Sequence, residues 1–272
     1  MASLKLPPGI AVLFGKVVRG DAAAVDDLLK SDTNLSRCIN DKNSDQDTAL
    51  AVAAKMGNVA VVKTLVSHGA HPLVGVRQSK NTPLHLAAIA GDLRLNRLEL
   101  EGLCAGHTAV VEALLEGCRG PPPASQGASR KYPSKTQGSF VDTRNEAGDT
   151  PLMFACAAGQ LGPARLLLHQ RASLLLQNHS GMTPLICAAG SSDSAQQAKG
   201  DGATSPAGSG TKAAQLVEAL LGSIGGEEER KKMAQLQDSH GNTALVQCSL
   251  KDPSCARHAQ LDASPGAMPT ID

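Results

Sequence analysis

Thr82-Pro-Leu-His-Leu-Ala-Ala88 is the stretch that decides the fold of this chain. Related stretches lie on both sides of it. Thr48-Ala-Leu-Ala-Val-Ala-Ala54 precedes it, and Thr150-Pro-Leu-Met-Phe-Ala-Cys156 and Thr183-Pro-Leu-Ile-Cys-Ala-Ala189 follow. Thr243-Ala-Leu-Val-Gln-Cys-Ser249 is a fifth, weaker copy. Thr48 and Thr82 are 34 residues apart, and Thr150 and Thr183 are 33 apart. Self-similarity at such a period marks an architecture of stacked units, none of which buries its apolar face alone.

Each residue type in the motif has a physical role. Threonine predicts a helix N-cap, its hydroxyl accepting an orphan backbone N–H. Pro83, Pro151 and Pro184 fall at the first helical position, where a missing N–H costs nothing and φ is preset. The small pairs Ala53-Ala54, Ala87-Ala88, Ala155-Cys156 and Ala188-Ala189 let neighbouring helices approach closely. A Gly-polar break follows, as at Gly57-Asn58, and then a second apolar-periodic helix such as Val59–Val66. Gly69 suits the end of that helix. Val110–Leu115, Ala164–Leu168 and Leu216–Leu221 are its counterparts. Ile10–Arg19, Gly20-Asp21 and Ala22–Lys30 give an N-terminal capping unit without the Thr-Pro signature, as a solenoid end requires.

The motif and its period resemble the ankyrin repeat, whose signature is Thr-Pro-Leu-His-x-Ala-Ala at about 33 residues. The resemblance implies an all-α solenoid of helix-turn-helix units joined by finger-like hairpin loops. It covers residues 1–250: a capping repeat over about 9–40, repeats starting near 43, 77, 145 and 178, and a partial last repeat from 238. Residues 251–272 form a C-terminal tail.

Two spacings depart from the period. Thr82 to Thr150 spans 68 residues yet holds one Thr-Pro-Leu signature, which predicts one repeat with insertions at about 92–105 and 119–139. In this reading Gly106-His107 is the break before the second helix. Pro121-Pro122-Pro123 makes the later insertion Pro-rich. Thr183 to Thr243 spans 60 residues, with a Gly/Ser/Ala/Gln-rich insertion at about 191–210. The 92–105 and 191–210 insertions fall at the helix–helix turn, so both are expected on the edge opposite the fingers. Glu227–Lys232 reads as a solvated helical turn. Pro253 discourages a helix after Ser249, and no second amphipathic helix is evident beyond it. The end of the stack is therefore expected to be covered by the tail or by a partner.

Composition excludes several classes. There is no Trp, one Tyr and three Phe in 272 residues, so the core is built from Ala, Leu, Val and Cys. A net charge of +1 supplies no basic field for nucleic acid. No run approaches the roughly 20 apolar residues of a membrane span, and the N-terminus lacks a signal-peptide cleavage pattern. Seven cysteines without paired spacing suit free thiols in the cytoplasm or another reducing compartment.

Catalytic and cofactor patterns are weak. Gly208-Ser-Gly-Thr-Lys212 lacks the Gly-Lys-Ser/Thr order of a phosphate loop and follows no strand. Cys104/His107 and Cys255/His258 do not make up a four-ligand zinc set and read as surface residues. His85 stands at the family's own Thr-Pro-Leu-His position and reads as structural. Cys156, Cys187 and Cys248 read as small core hydrophobes. No cofactor, metal or catalytic residue is expected, and the chain is read as a binding protein rather than an enzyme.

The resemblance places binding on a concave face made by the finger tips and the uncovered side of each first helix. The finger candidates are Asn43, Asp45, Gln46, Arg77, Gln78, Lys80, Arg144, Asn145, Glu146, His179, Ser239 and His240. The helix candidates are Lys55, Met56, Ile89 and Ala90, with Met56 and Ile89 as apolar anchors, internal packing being the competing reading for those two. Gly148, Gly181 and Gly241 occupy the family's turn glycine. Gln46 and Lys80 replace it in the first two fingers, which are expected to differ in shape. The function implied is a scaffold or assembly subunit of an intracellular complex, monomeric by itself, that binds one or more proteins. The alternative is an adaptor or inhibitor recruiting a client to an enzyme such as a ligase or kinase.

Overall fold

Threonine caps and proline starts set the helices where the repeat pattern puts them. A computed structural model describes residues 8–89, 100–119, 140–191 and 212–251. In chain order the helices are α1 (Pro8–Arg19), α2 (Ala22–Ser31), α3 (Thr33–Arg37), α4 (Ala49–Lys55), α5 (Val59–Ser67), α6 (Pro83–Ile89) and α7 (Leu100–Arg119). They continue as α8 (Pro151–Ala157), α9 (Leu161–His169), α10 (Pro184–Gly190), α11 (Lys212–Gly222), α12 (Glu227–Gln235) and α13 (Ala244–Lys251). Thr48, Thr150 and Thr183 accept through Oγ1 from the backbone N–H of Ala51 (3.2 Å), Met153 (3.4 Å) and Ile186 (3.2 Å). Each satisfies one orphan donor of a seven-residue helix too short to persist alone.

Those short helices survive because they stack. The first helices α1, α4, α6, α8, α10 and α13 form an inner row, and α2, α5, α7, α9 and α11 an outer row behind it. The core runs the length of the stack between the rows, through Leu13, Leu50, Leu65, Leu84, Leu114, Leu152, Leu167 and Leu216. Ala53, Ala54, Ala87, Ala88, Ala155, Cys156, Ala188 and Ala189 are all buried, so the small pairs are the surfaces of closest helix approach. The break at Gly57 has φ +74°, and a Cβ there would meet the His107 ring at 2.9 Å. Gly is needed for both reasons.

Between Thr82 and Thr150 the described residues hold one inner helix, α6, and one outer helix, α7. The finger before α6 is followed directly by the finger before α8: Glu146 donates its N–H to the carbonyl of Ser79 at 2.8 Å. His179 donates likewise to Ala147 (3.0 Å), and Ser239 to Ser180 (2.9 Å), continuing the ladder.

Two expectations about α7 are corrected. The helix starts at Leu100, so residues 100–105 of the expected insertion are helical and lengthen α7, and Gly106-His107 lies inside α7 rather than before it. His107 is buried, not a surface residue, and its Nε2–H donates to the carbonyl of Lys55 at 3.1 Å. The ring thus reaches back to cap the C-terminal end of α4 in the preceding repeat. Residues 90–99, 120–139, 192–211 and 252–272 lie outside the described residues. Most of the insertions, Ala90, Gly208–Gly210, Cys255, His258 and the tail fall there.

Candidate functional site

A finger is a tight turn built by its own side chains. Asn43 Oδ1 accepts from the N–H groups of Asp45 and Asp47, both at 2.9 Å. Asn145 does the same for Ala147 (3.0 Å) and Asp149 (2.8 Å), and Asn178 for Ser180 (3.0 Å) and Met182 (2.8 Å). Asp238 repeats the pattern with His240 (2.8 Å) and Asn242 (2.9 Å), and these bonds hold its carboxyl below the usual range. Each loop thereby satisfies two N–H groups through one starting residue.

Replacing the turn glycine does not reshape the first finger, contrary to expectation. Gln46 and Lys80 adopt the left-handed region at φ 63° and 53°, as Gly148, Gly181 and Gly241 do at 79°, 72° and 79°. The second finger does differ, but for another reason. Its starting residue is Arg77, which lacks the side-chain carbonyl and itself sits at φ 56°. Arg77 N–H turns to the carbonyl of Gln46 (3.0 Å), and Val76 takes over the bond to Asn81 (2.9 Å).

Neighbouring fingers are tied by a side-chain rule that the sequence reading missed. The residue before each of three motif threonines accepts from the start of the next finger. Asp47 receives Arg77 through Nε (2.9 Å) and Nη2 (2.7 Å), Asn81 receives Asn145 Nδ2 (2.8 Å), and Asp149 receives Asn178 Nδ2 (2.6 Å). The Asp/Asn-Thr dipeptides at 47–48, 81–82 and 149–150 were the available signal. Met182 occupies this place in the fourth finger.

The finger candidates therefore divide. Asn43 and Asn145 frame their loops. Arg77 is held by Asp47, Lys80 Nζ pairs with Glu146 Oε2 at 2.6 Å, and Arg144 Nη1 donates to the carbonyl of Gln177 at 3.1 Å. Asp45, Gln46, Gln78, His179, Ser239 and His240 are exposed on the finger tips. His240 Nδ1 lies 3.3 Å from the Ser239 hydroxyl.

The inner helices leave one face uncovered. In α4, α6 and α8 the first, second, third, fifth and sixth positions after threonine are buried. The fourth and seventh, a helical turn apart, look outward. They are Val52 and Lys55, Leu86 and Ile89, and Phe154 and Ala157. Met56 and Ile89 do not pack inside: they are 50% and 39% exposed.

The second repeat uses its threonine differently from the expected cap. Thr82 Oγ1 lies 2.8 Å from His85 Nδ1, which also accepts the Thr82 N–H at 3.3 Å. His85 Nε2 is 3.0 Å from the carbonyl of Asp149. These partners require a bare Nδ1 and a protonated Nε2. Burial pushes the ring's pKa down to about 4, so it stays neutral at pH 7. Phe154 meets it edge-on with centroids 5.4 Å apart. The imidazole is spent on structure.

The thiols show the same inertness. Cys156 and Cys187 are buried, and burial raises Cys156 well above its ordinary value and Cys187 to about 12. Neither presents a thiolate at pH 7. Among the described residues no cluster of three or more His, Cys, Asp or Glu could hold a metal. Among them, too, no helix is long and apolar enough to cross a membrane.

The family model described as "Ankyrin repeats (3 copies)" matches residues 13–127 and 100–197. The chain belongs to the ankyrin-repeat family. A solved structure with the same fold is that of the ankyrin repeat protein EF0377, at 17% identity and a TM-score of 0.63. The match covers 93% of this chain and 98% of that one. Ankyrin repeats generally mediate protein–protein interaction and are typically non-catalytic modules.

Proposed function

We propose that this protein is a non-catalytic scaffold or assembly subunit that binds other proteins through the fingers and the uncovered face of its inner helices. The observation that carries this reading is the exposure of Met56 and Ile89, on consecutive inner helices, amid small buried neighbours. Binding energy at interfaces concentrates in a few such side chains. Two buried imidazoles are spent on structure, His85 on Asp149 and His107 on Lys55.

The test is affinity purification from native cells with mass spectrometry, comparing wild type with Met56→Glu/Ile89→Glu. The same partners should be lost from the variant while its circular dichroism and melting temperature stay unchanged. Retention of all partners by a folded double variant would sink the reading. Stoichiometric recovery within a large assembly supports the subunit role over an adaptor that recruits a client to an enzyme.

A further inference from the structure

The uncovered face is poor in charge. Three consecutive inner helices read PLHLAAI, PLMFACA and PLICAAG. Apart from the two buried thiols, their one ionisable side chain is His85, which is buried and neutral. The outward positions across these helices are Leu86, Ile89, Phe154, Ala157 and, nearly covered, Cys187. Lys55 is the one charged side chain at an outward position of α4, α6, α8 or α10, and Met56 adjoins it.

The fingers compensate part of their own charge, while Asp45 stays exposed and Arg144 donates to the carbonyl of Gln177 at their edge. Arg77 is bound by both oxygens of Asp47, and Lys80 is neutralised by Glu146 in the next finger. A charged group brought onto α6 or α8 would lose hydration and find no counter-charge on those helices, whereas an apolar side chain would lose only contact with water. A strongly acidic or basic partner gains nothing from these pairs unless it breaks them.

Resting on the function proposed above, we infer that the face takes an uncharged, apolar segment of a partner polypeptide, anchored on Met56 and Ile89. The energy comes from desolvation and not from ion pairing, so the affinity is nearly independent of salt. Electrostatic recognition would weaken as added salt screens it.

The test pans a phage-displayed library of random peptides on the full chain and sequences what is retained. The expected sequences hold Leu, Ile, Met or Phe in a core without Asp, Glu, Lys or Arg. A synthetic peptide of that sequence should bind with less than about a twofold change in affinity between about 0.05 and 0.5 M salt. Met56→Glu/Ile89→Glu should weaken it about 100-fold, while Leu175→Glu, an exposed site elsewhere, leaves it unchanged. Charged peptides that bind this face with steep salt dependence would overturn the inference and leave the scaffold reading standing. Peptides indifferent to the double variant would overturn both. Self-association abolished by the double variant would identify a second copy of this chain as the occupant and overturn the peptide assignment.

Discussion

His85 Nε2 donates to the backbone carbonyl of Asp149, 3.0 Å away and 64 positions later in the chain. The bond ties the start of α6 to the finger of the following repeat, across the longest departure from the repeat period. Removing the ring leaves the buried Thr82 N–H and hydroxyl without their acceptor, while the Asp149 carbonyl keeps only the Asn145 N–H at 3.0 Å. His85→Leu should therefore cost about 2–4 kcal/mol, read as a fall in urea midpoint at an unchanged m-value.

The same ring makes stability depend on pH. Burial lowers its folded value to about 4, while in the unfolded chain it titrates near 6.5. Between those values the unfolded chain holds more protons, so acid favours unfolding. The contribution is complete above about 6.5 and falls with pH until about 4, with a slope of about 1.4 kcal/mol per pH unit in the middle of the window. Urea midpoints measured at several pH values for wild type and His85→Leu should show this component only in wild type. Parallel pH profiles for the two proteins would show that the buried ring is not its source.

Turn strain gives a third prediction, with opposite signs at equivalent positions. Gln46 and Lys80 hold left-handed backbone that costs a side-chain-bearing residue about 1–2 kcal/mol. Gln46→Gly and Lys80→Gly should each stabilise by about 0.5–1 kcal/mol, the remainder being lost to the freer unfolded chain. Gly181→Ala should destabilise by about 1–3 kcal/mol, because its Cβ would stand 3.0 Å from the Asp238 backbone and its φ is +72°. Thermal melts of the three single variants decide it.

Two break glycines separate strain from packing. Gly57 and Gly159 share a positive φ, +74° and +69°, but only Gly57 has a neighbour where a Cβ would go, the His107 ring at 2.9 Å. Gly159→Ala should cost only the backbone term of about 1 kcal/mol. Gly57→Ala should cost roughly twice as much, because the ring must also leave the Lys55 carbonyl. Equal costs in a denaturant series would mean that His107 adds nothing to the stack.

The residues above show what was legible in the sequence. Thr-Pro-Leu spacing announces the inner helices because a cap and a preset φ are local properties. Ile89 is exposed at the seventh position after its threonine, but Met56 follows the end of α4, and residue type alone left internal packing open for both. His107 escaped because a Gly-His pair signals a break only where the helix starts after it, and α7 starts at Leu100 instead. The pairing of Asp47 with Arg77 escaped because it joins residues 30 apart whose meeting depends on how the fingers stack. Gln46 was misjudged because strain that a long polar residue tolerates leaves no mark in residue type.

The far end of the stack carries the last prediction. The third position after threonine is occupied by Ala51, His85, Met153 and Ile186 in the first four motif-bearing repeats, and each is at most 1% exposed. Val246 holds the same register in α13 and is 41% exposed. In the earlier repeats the next unit covers this position. At α13 the described residues supply no such unit, while α13 itself covers α10. Val246→Ser should thus change stability by less than about 0.5 kcal/mol, whereas Ile186→Ser should cost about 3 kcal/mol or more. Truncation after Gly241 removes α13 and bares the α10 surface. It should yield a protein that aggregates at concentrations where the full chain is monodisperse by light scattering. A truncated protein that stays a monodisperse, equally stable monomer would mean that the α10 surface needs no cover.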